Sequence, residues 1–158
     1  MPDTEKTFDP SWKSIDTLPA RLVGNVSRCR NLILSNDKEL LAKSDLTWQQ
    51  FLTLSALRGA GQPYQLQPTD LYQATQMSSG GLTKLLYTLE KRGLIERSAN
   101  KEDKRSTFVS LTPAGKALIE NIVDQLVEAN GARFNQALNK DELNQLVHLL
   151  DRLQNSLK

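Results

Sequence analysis

The chain is poor in the residues that metal and redox chemistry need. Its 158 residues hold one cysteine, Cys29, and one histidine, His148. A single cysteine excludes an intramolecular disulfide and a cysteine-built zinc site, and one histidine cannot assemble a metal site. No cofactor is expected. No apolar run approaches the ~18 residues of a membrane-spanning helix, so no membrane partner is expected either. Internal repeats and low-complexity tracts are absent. Gly115-Lys116 is followed by Ala117, which is not the ending of a phosphate-cradling loop. The N-terminal stretch carries Asp3 and Glu5 where a signal segment would be apolar, and a cytoplasmic protein is therefore expected. The two charge signs nearly balance. Twenty Lys and Arg against 18 Asp and Glu leave a net charge of +2, too little to announce a polyanionic partner by bulk electrostatics.

Distribution says more than the total. Residues 78–110 carry Lys84, Lys91, Arg92, Arg97, Lys101, Lys104 and Arg105 against Glu90, Glu96, Glu102 and Asp103, a local excess of +3. The length allows one domain with a substantial core, or a small domain with helical extensions.

Periodicity predicts a mainly helical chain with a small β-hairpin. Ile15, Leu18, Leu22, Val26, Cys29 and Ile33 recur at intervals of three and four, giving a helix over about 11–43 that Pro19 bends or restarts, with Asp16 or Thr17 as its cap. Thr47 and Gln50 form a capping box, with Leu46 and Phe51 as a hydrophobic staple. The helix that follows turns Phe51, Leu54 and Leu57 inward and stops at Gly59. After a turn and a short strand near Gln65–Gln67, Pro68 opens a helix of about two turns. Three residues later another helix starts at Ser78, with Leu82, Leu85, Leu86 and Leu89 inward and Gly93 at its end. Leu94–Arg97 and Ser106–Leu111 read as strands joined by a polar loop over 98–105. Thr112-Pro113 begins a helix to about Leu138, carrying Leu118, Ile122, Leu126 and Phe134. Asn139 and Glu142 cap a last helix striped by Leu143, Leu146, Val147, Leu150, Leu153 and Leu157.

A short helix, a tight connection and a longer helix form a helix-turn-helix by pattern. The second helix opens with Ser78, Ser79 and Gly80, followed by Thr83 and Lys84. Such a start suits a helix whose first turn enters a DNA major groove, because small hydroxyl residues permit close approach and can bond bases or phosphates. An ordinary capped core helix would look similar; the short helix before it and the basic hairpin after it favour the DNA reading. The loop holding Lys104 and Arg105 then becomes a wing that reaches the minor groove or clamps phosphate, with Asp103 orienting an arginine.

SSGGLTKLLYTLEKRGLIER followed by NKEDKRSTFVSLTPAGKAL resembles the MarR family of bacterial transcriptional regulators. The Asp103/Arg105 pair, the V-S-L-T strand end and the P-A-G helix start carry the resemblance, and LTWQQFLTLSAL is similar to the family's helix before the reader. The match covers about 45–118; elsewhere helix order and length agree. The resemblance implies a winged helix-turn-helix over 45–112 between dimerisation segments 1–44 and 113–158. It implies a homodimer on near-palindromic double-stranded DNA, repressing transcription and released by a small lipophilic or phenolic effector. By position it assigns DNA contact to Ser78, Ser79, Thr83, Lys84, Lys104 and Arg105, and a bracing role to Asp103.

Two other readings stand beside this one. A winged helix can serve protein–protein contact instead. Cys29 can serve redox sensing, since some members sense peroxide through a cysteine nearer the start of their first helix, and Arg28 and Arg30 flank it. Side chains one residue apart diverge on a helix, and Cys29 continues the Val26–Ile33 stripe, so a packed thiol is expected. An enzyme built on Cys29 and His148 lacks any connecting motif. Trp48, Tyr64 and Tyr87 are candidates for a ligand cavity, with core or surface packing the plainer expectation.

Overall fold

The computed structural model describes residues 17–99 and 107–158. It holds six helices: α1 (Leu18–Lys43), α2 (Trp48–Gly59), α3 (Pro68–Thr75), α4 (Ser79–Lys91), α5 (Pro113–Ala137) and α6 (Lys140–Ser156). Three strands, β1 (Gln65–Leu66), β2 (Ile95–Ala99) and β3 (Thr107–Leu111), form an antiparallel sheet in the order β1-β3-β2. The fold is thus mainly α with a small β wing. The chain divides into two compact units, one ending at Glu39 and one from Leu40 to the C-terminus.

In the second unit local signals set each helix start. Thr47 Oγ1 accepts from the Gln50 amide at 3.3 Å and Gln50 Oε1 accepts from the Thr47 amide at 2.9 Å, which closes the expected box. Pro68 opens α3, where its missing N–H costs no helical bond. Asn139 Oδ1 accepts from Asp141 and Glu142 amides, and Glu142 returns a bond to the Asn139 amide at 2.8 Å.

The core joins α2, α3, α4, the sheet and α5. Leu54, Leu57, Leu71, Leu89, Val109, Ile119 and Ile122 are wholly excluded from water, each buried side chain contributing about 1.5–3 kcal/mol of transfer free energy. The helical period put Leu118 on the inward stripe of α5, but the neighbouring Ile119 is the side chain fully buried and Leu118 only half-buried. β2 runs two residues further than expected, pairing Ser98 with Phe108 and Ala99 with Thr107. In the first unit, Cys29 is exposed on α1, which corrects the expected packed thiol. The stripe it belongs to is real, but Leu22 and Val26 along it are 45% and 42% exposed, so the protomer has no core there to receive the sulfur.

Gly93 and Gly115 have conformational reasons to be glycine. Gly93 has φ +68°. The Leu94 amide donates to Leu89 O and the Gly93 amide to Glu90 O, the two bonds of a Schellman stop. A Cβ built at Gly115 would collide with the Leu94 carbonyl. Gly115→Ala should therefore cost about 1–3 kcal/mol through overpacking. Gly59→Ala, where an added Cβ meets nothing, should leave stability unchanged or slightly higher; urea unfolding of the two variants checks the contrast.

Candidate nucleic-acid interface

α3 ends on Gln76, whose backbone is left-handed at φ +53°, and Met77 and Ser78 lead into α4. This close connection completes the helix-turn-helix. Ser78 is the N-cap: its Oγ accepts from the Gly81 amide at 3.4 Å, so part of its hydrogen-bonding capacity holds the helix itself. Ser79, Thr83 and Lys84 are exposed. The Thr83 hydroxyl donates to Ser79 O at 3.0 Å, which leaves its methyl group and acceptor lone pairs for a groove. The structure thus brings Ser78, Ser79, Thr83 and Lys84 together on the first half of α4. Lys104, Arg105 and Asp103, assigned to the wing tip, lie outside the described residues.

Four buried leucines, Leu82, Leu85, Leu86 and Leu89, fix the rotation of α4. Opposite them Gly80, Lys84, Tyr87 and Lys91 follow the spacing i, i+4, i+7, i+11, and all are exposed, forming one outward ridge. An added Cβ at Gly80 meets nothing within 4 Å. Its bareness is therefore not needed inside the protein, and it lets the helix backbone come close to a partner.

Of the four basic residues of this segment that are described, Lys84, Lys91, Arg92 and Arg97, two bond within the protein. Arg92 Nη1 donates to Asp45 O at 2.6 Å and Nη2 to Ser44 O at 3.4 Å, meeting carbonyls just past the end of α1. Arg97 pairs with Glu90 at 3.4 Å. Charge counting cannot tell such cations from free ones; Lys84 and Lys91, on the ridge, remain directed outward.

Behind the lobe, α2 and α5 are joined by a polar cluster. Arg58 Nε donates to Glu120 Oε1 at 2.6 Å, and Lys116 Nζ lies 3.1 Å from the same carboxylate. Bonding to Arg58 and then Lys116 holds the Glu120 carboxyl below the usual carboxylate range, and the same contact raises the Arg58 guanidinium. Arg58 also stacks 4.9 Å over the Tyr64 ring. Tyr64 thus belongs to this cluster, and Trp48 packs on Phe51 at 5.2 Å. His148 is exposed on α6. Among the described residues, no group of three His, Cys, Asp or Glu could hold a metal, and no helix is long and apolar enough to cross a membrane.

A helix-turn-helix with a bare, partly basic reader and a β-hairpin after it defines a winged-helix DNA-binding protein. Residues 44–106 match the MarR family model. The chain is 31% identical over 143 residues to the HTH-type transcriptional regulator PecS of Dickeya dadantii, covering 90% of this chain and 86% of that one. The solved structure of apo MarR from Escherichia coli superposes with a TM-score of 0.71 at 30% identity, over 87% of this chain and 96% of that one. The solved structure of Bordetella bronchiseptica BpsR, described as regulated in DNA binding by 6-hydroxynicotinic acid, gives 0.65 at 26% identity over 89% and 94%. The chain belongs to the MarR family of DNA-binding transcriptional regulators.

Two outcomes follow for the ridge. Gly80→Ala should keep or raise thermal stability, since alanine favours helix, while weakening specific DNA binding on the order of tenfold, ~1.4 kcal/mol. Lys84→Ala should lower the slope of log affinity against log salt by about one per half-site, whereas Arg92→Ala should leave that slope unchanged. Binding isotherms at several salt concentrations separate the two cations.

Proposed function

We propose that this chain is a homodimeric repressor that holds a near-palindromic operator and lets go when a small hydroxylated or lipophilic effector binds. Its work is binding in the cytoplasm, not catalysis. The observation that carries this reading is the contrast between two exposed surfaces. The lobe shows water a polar and basic ridge on α4. The long helices show it Leu18, Leu22, Val23 and Leu32 on α1, Val127 on α5, Val147 and Leu149 on α6, and Leu157 just past its end. No residue of α6 is buried. Apolar faces of that extent mark an association surface, and the natural occupant is a second copy using the same helices. The segments 1–44 and 113–158 would supply this interface and 45–112 the DNA contact, with Lys104 and Arg105 at the wing and Asp103 bracing them.

The effector reading draws support from BpsR, and from a place in this protein with suitable chemistry. A cleft of about 300 Å³ between α2 and α5 is lined by Ser55, Arg58, Glu120 and Asp124 among others. Ser55 Oγ is buried there without a hydrogen-bond partner among the described residues, a costly state that a bound hydroxyl or carboxylate would relieve.

Selection from random duplexes tests the central claim. Two readers on one DNA face lie about 34 Å apart, so the selected sequences should be inverted repeats whose half-site centres are about 10–10.5 base pairs apart. Light scattering should give two chains per duplex. Enrichment of no sequence, or of single half-sites bound by one chain, would defeat the dimeric-operator reading and favour a protein-contact role.

A further inference from the structure

We infer that Tyr87 makes a neutral hydrogen bond to an operator phosphate and so fixes how deeply and in what register α4 sits in its groove. This rests on the DNA-binding role above and adds a residue to it. Between Leu32 and Val123, Tyr87 is the one large apolar side chain among the described residues that stands clear of the protein, at 63% exposure. Every other such side chain lies on α1, α5 or α6 or at the residue that caps α6, so association of those helices does not account for it. It stands on the outward ridge of α4, three residues after Lys84 and four before Lys91, and no described residue bonds its hydroxyl.

Distance along the helix says what a tyrosine there can reach. From Gly80 to Tyr87 is seven residues, roughly 10 Å of axis, close to the ~12 Å width of the major groove. With the first turn of α4 at the base edges, Tyr87 stands at the groove wall, where the phosphates run. Lys84 and Lys91 on either side favour that backbone by charge. The phenol then donates its O–H to a phosphate oxygen, a contact that positions the protein and carries no base information. Because tyrosine is uncharged, the bond releases no counterion.

The test uses the full chain and the duplex recovered by selection. Tyr87→Phe keeps the ring and the helix and removes only the hydroxyl. Affinity should fall about tenfold or more, as for the loss of a hydrogen bond to a charged acceptor. The salt slope should stay that of the wild type, and the loss should be equal across duplexes carrying single base-pair changes. Phosphate ethylation interference should lose one position per half-site. Wild-type affinity in Tyr87→Phe, with wild-type interference, overturns the inference while leaving the operator reading intact. A loss confined to one altered base pair overturns it in favour of base reading by the ring. If the wild type itself selects no duplex, both readings fall together.

Discussion

The first turn of α5 is pressed against the backbone at Leu94 so closely that Gly115 has no room for a methyl group. Hydrogen bonds hold the approach. The Thr112 amide donates to Leu94 O at 3.2 Å, and the Thr112 hydroxyl donates to Gly93 O at 2.7 Å while its oxygen accepts from the Gly115 amide at 3.0 Å. Four elements end or begin near this point: α4 ends at Lys91, two residues before Gly93, β2 starts at Ile95, β3 finishes at Leu111 and α5 opens at Pro113. One small set of peptide groups therefore decides how the reader, the wing and the long helix α5 leave their common junction.

The reader inherits its aim from that junction. Its four leucines set its rotation, the left-handed Gly93 sets where it stops, and Arg92 ties its far end to carbonyls beyond α1. A side-chain constellation is held best when its element is fixed at both face and end. With α4 and α5 sharing bonded peptide groups, a shift of α5 carries the direction of α4 with it. On the proposed function, a ligand lodged between α2 and α5 acts on DNA binding without touching the reader, by favouring one arrangement of the two helices.

Much of the fold was legible because its signals are local. Thr47/Gln50, Pro68, Thr112-Pro113 and Asn139/Glu142 each fix a helix start within four residues, and the structure places the helices where they point. The candidate reader was legible for the same reason, since an N-cap followed by leucines at helical spacing also declares its outward face. What stayed hidden depends on residues distant in sequence. Ile119 in place of Leu118 follows from where the lobe meets α5, not from the period of α5 itself. The Arg92 bond spans 47 residues to Asp45, so the count of basic side chains gave it the same weight as Lys84. The apolar stripe through Cys29 does not imply burial inside one chain, because Leu22 and Val26 along it are themselves exposed. Aromatic identity alone suggests cavity or packing for Tyr87, while its spacing from Lys84 places it on the ridge.

The low net charge bears on specificity. Binding to arbitrary DNA comes almost wholly from phosphate neutralisation and counterion release, and a chain with net charge +2, with Arg92 bonded to its own carbonyls and Arg97 paired with Glu90, offers little bulk charge for that uniform term. A regulator's useful quantity is the ratio of specific to non-specific binding, weighed against the many competing sites. Keeping the uniform term small raises that ratio without strengthening any base contact. Uncharged groups in the first half of α4, with Gly80 bare among them, suit the same end. They gain from close fit to a matching groove and little from unspecific charge.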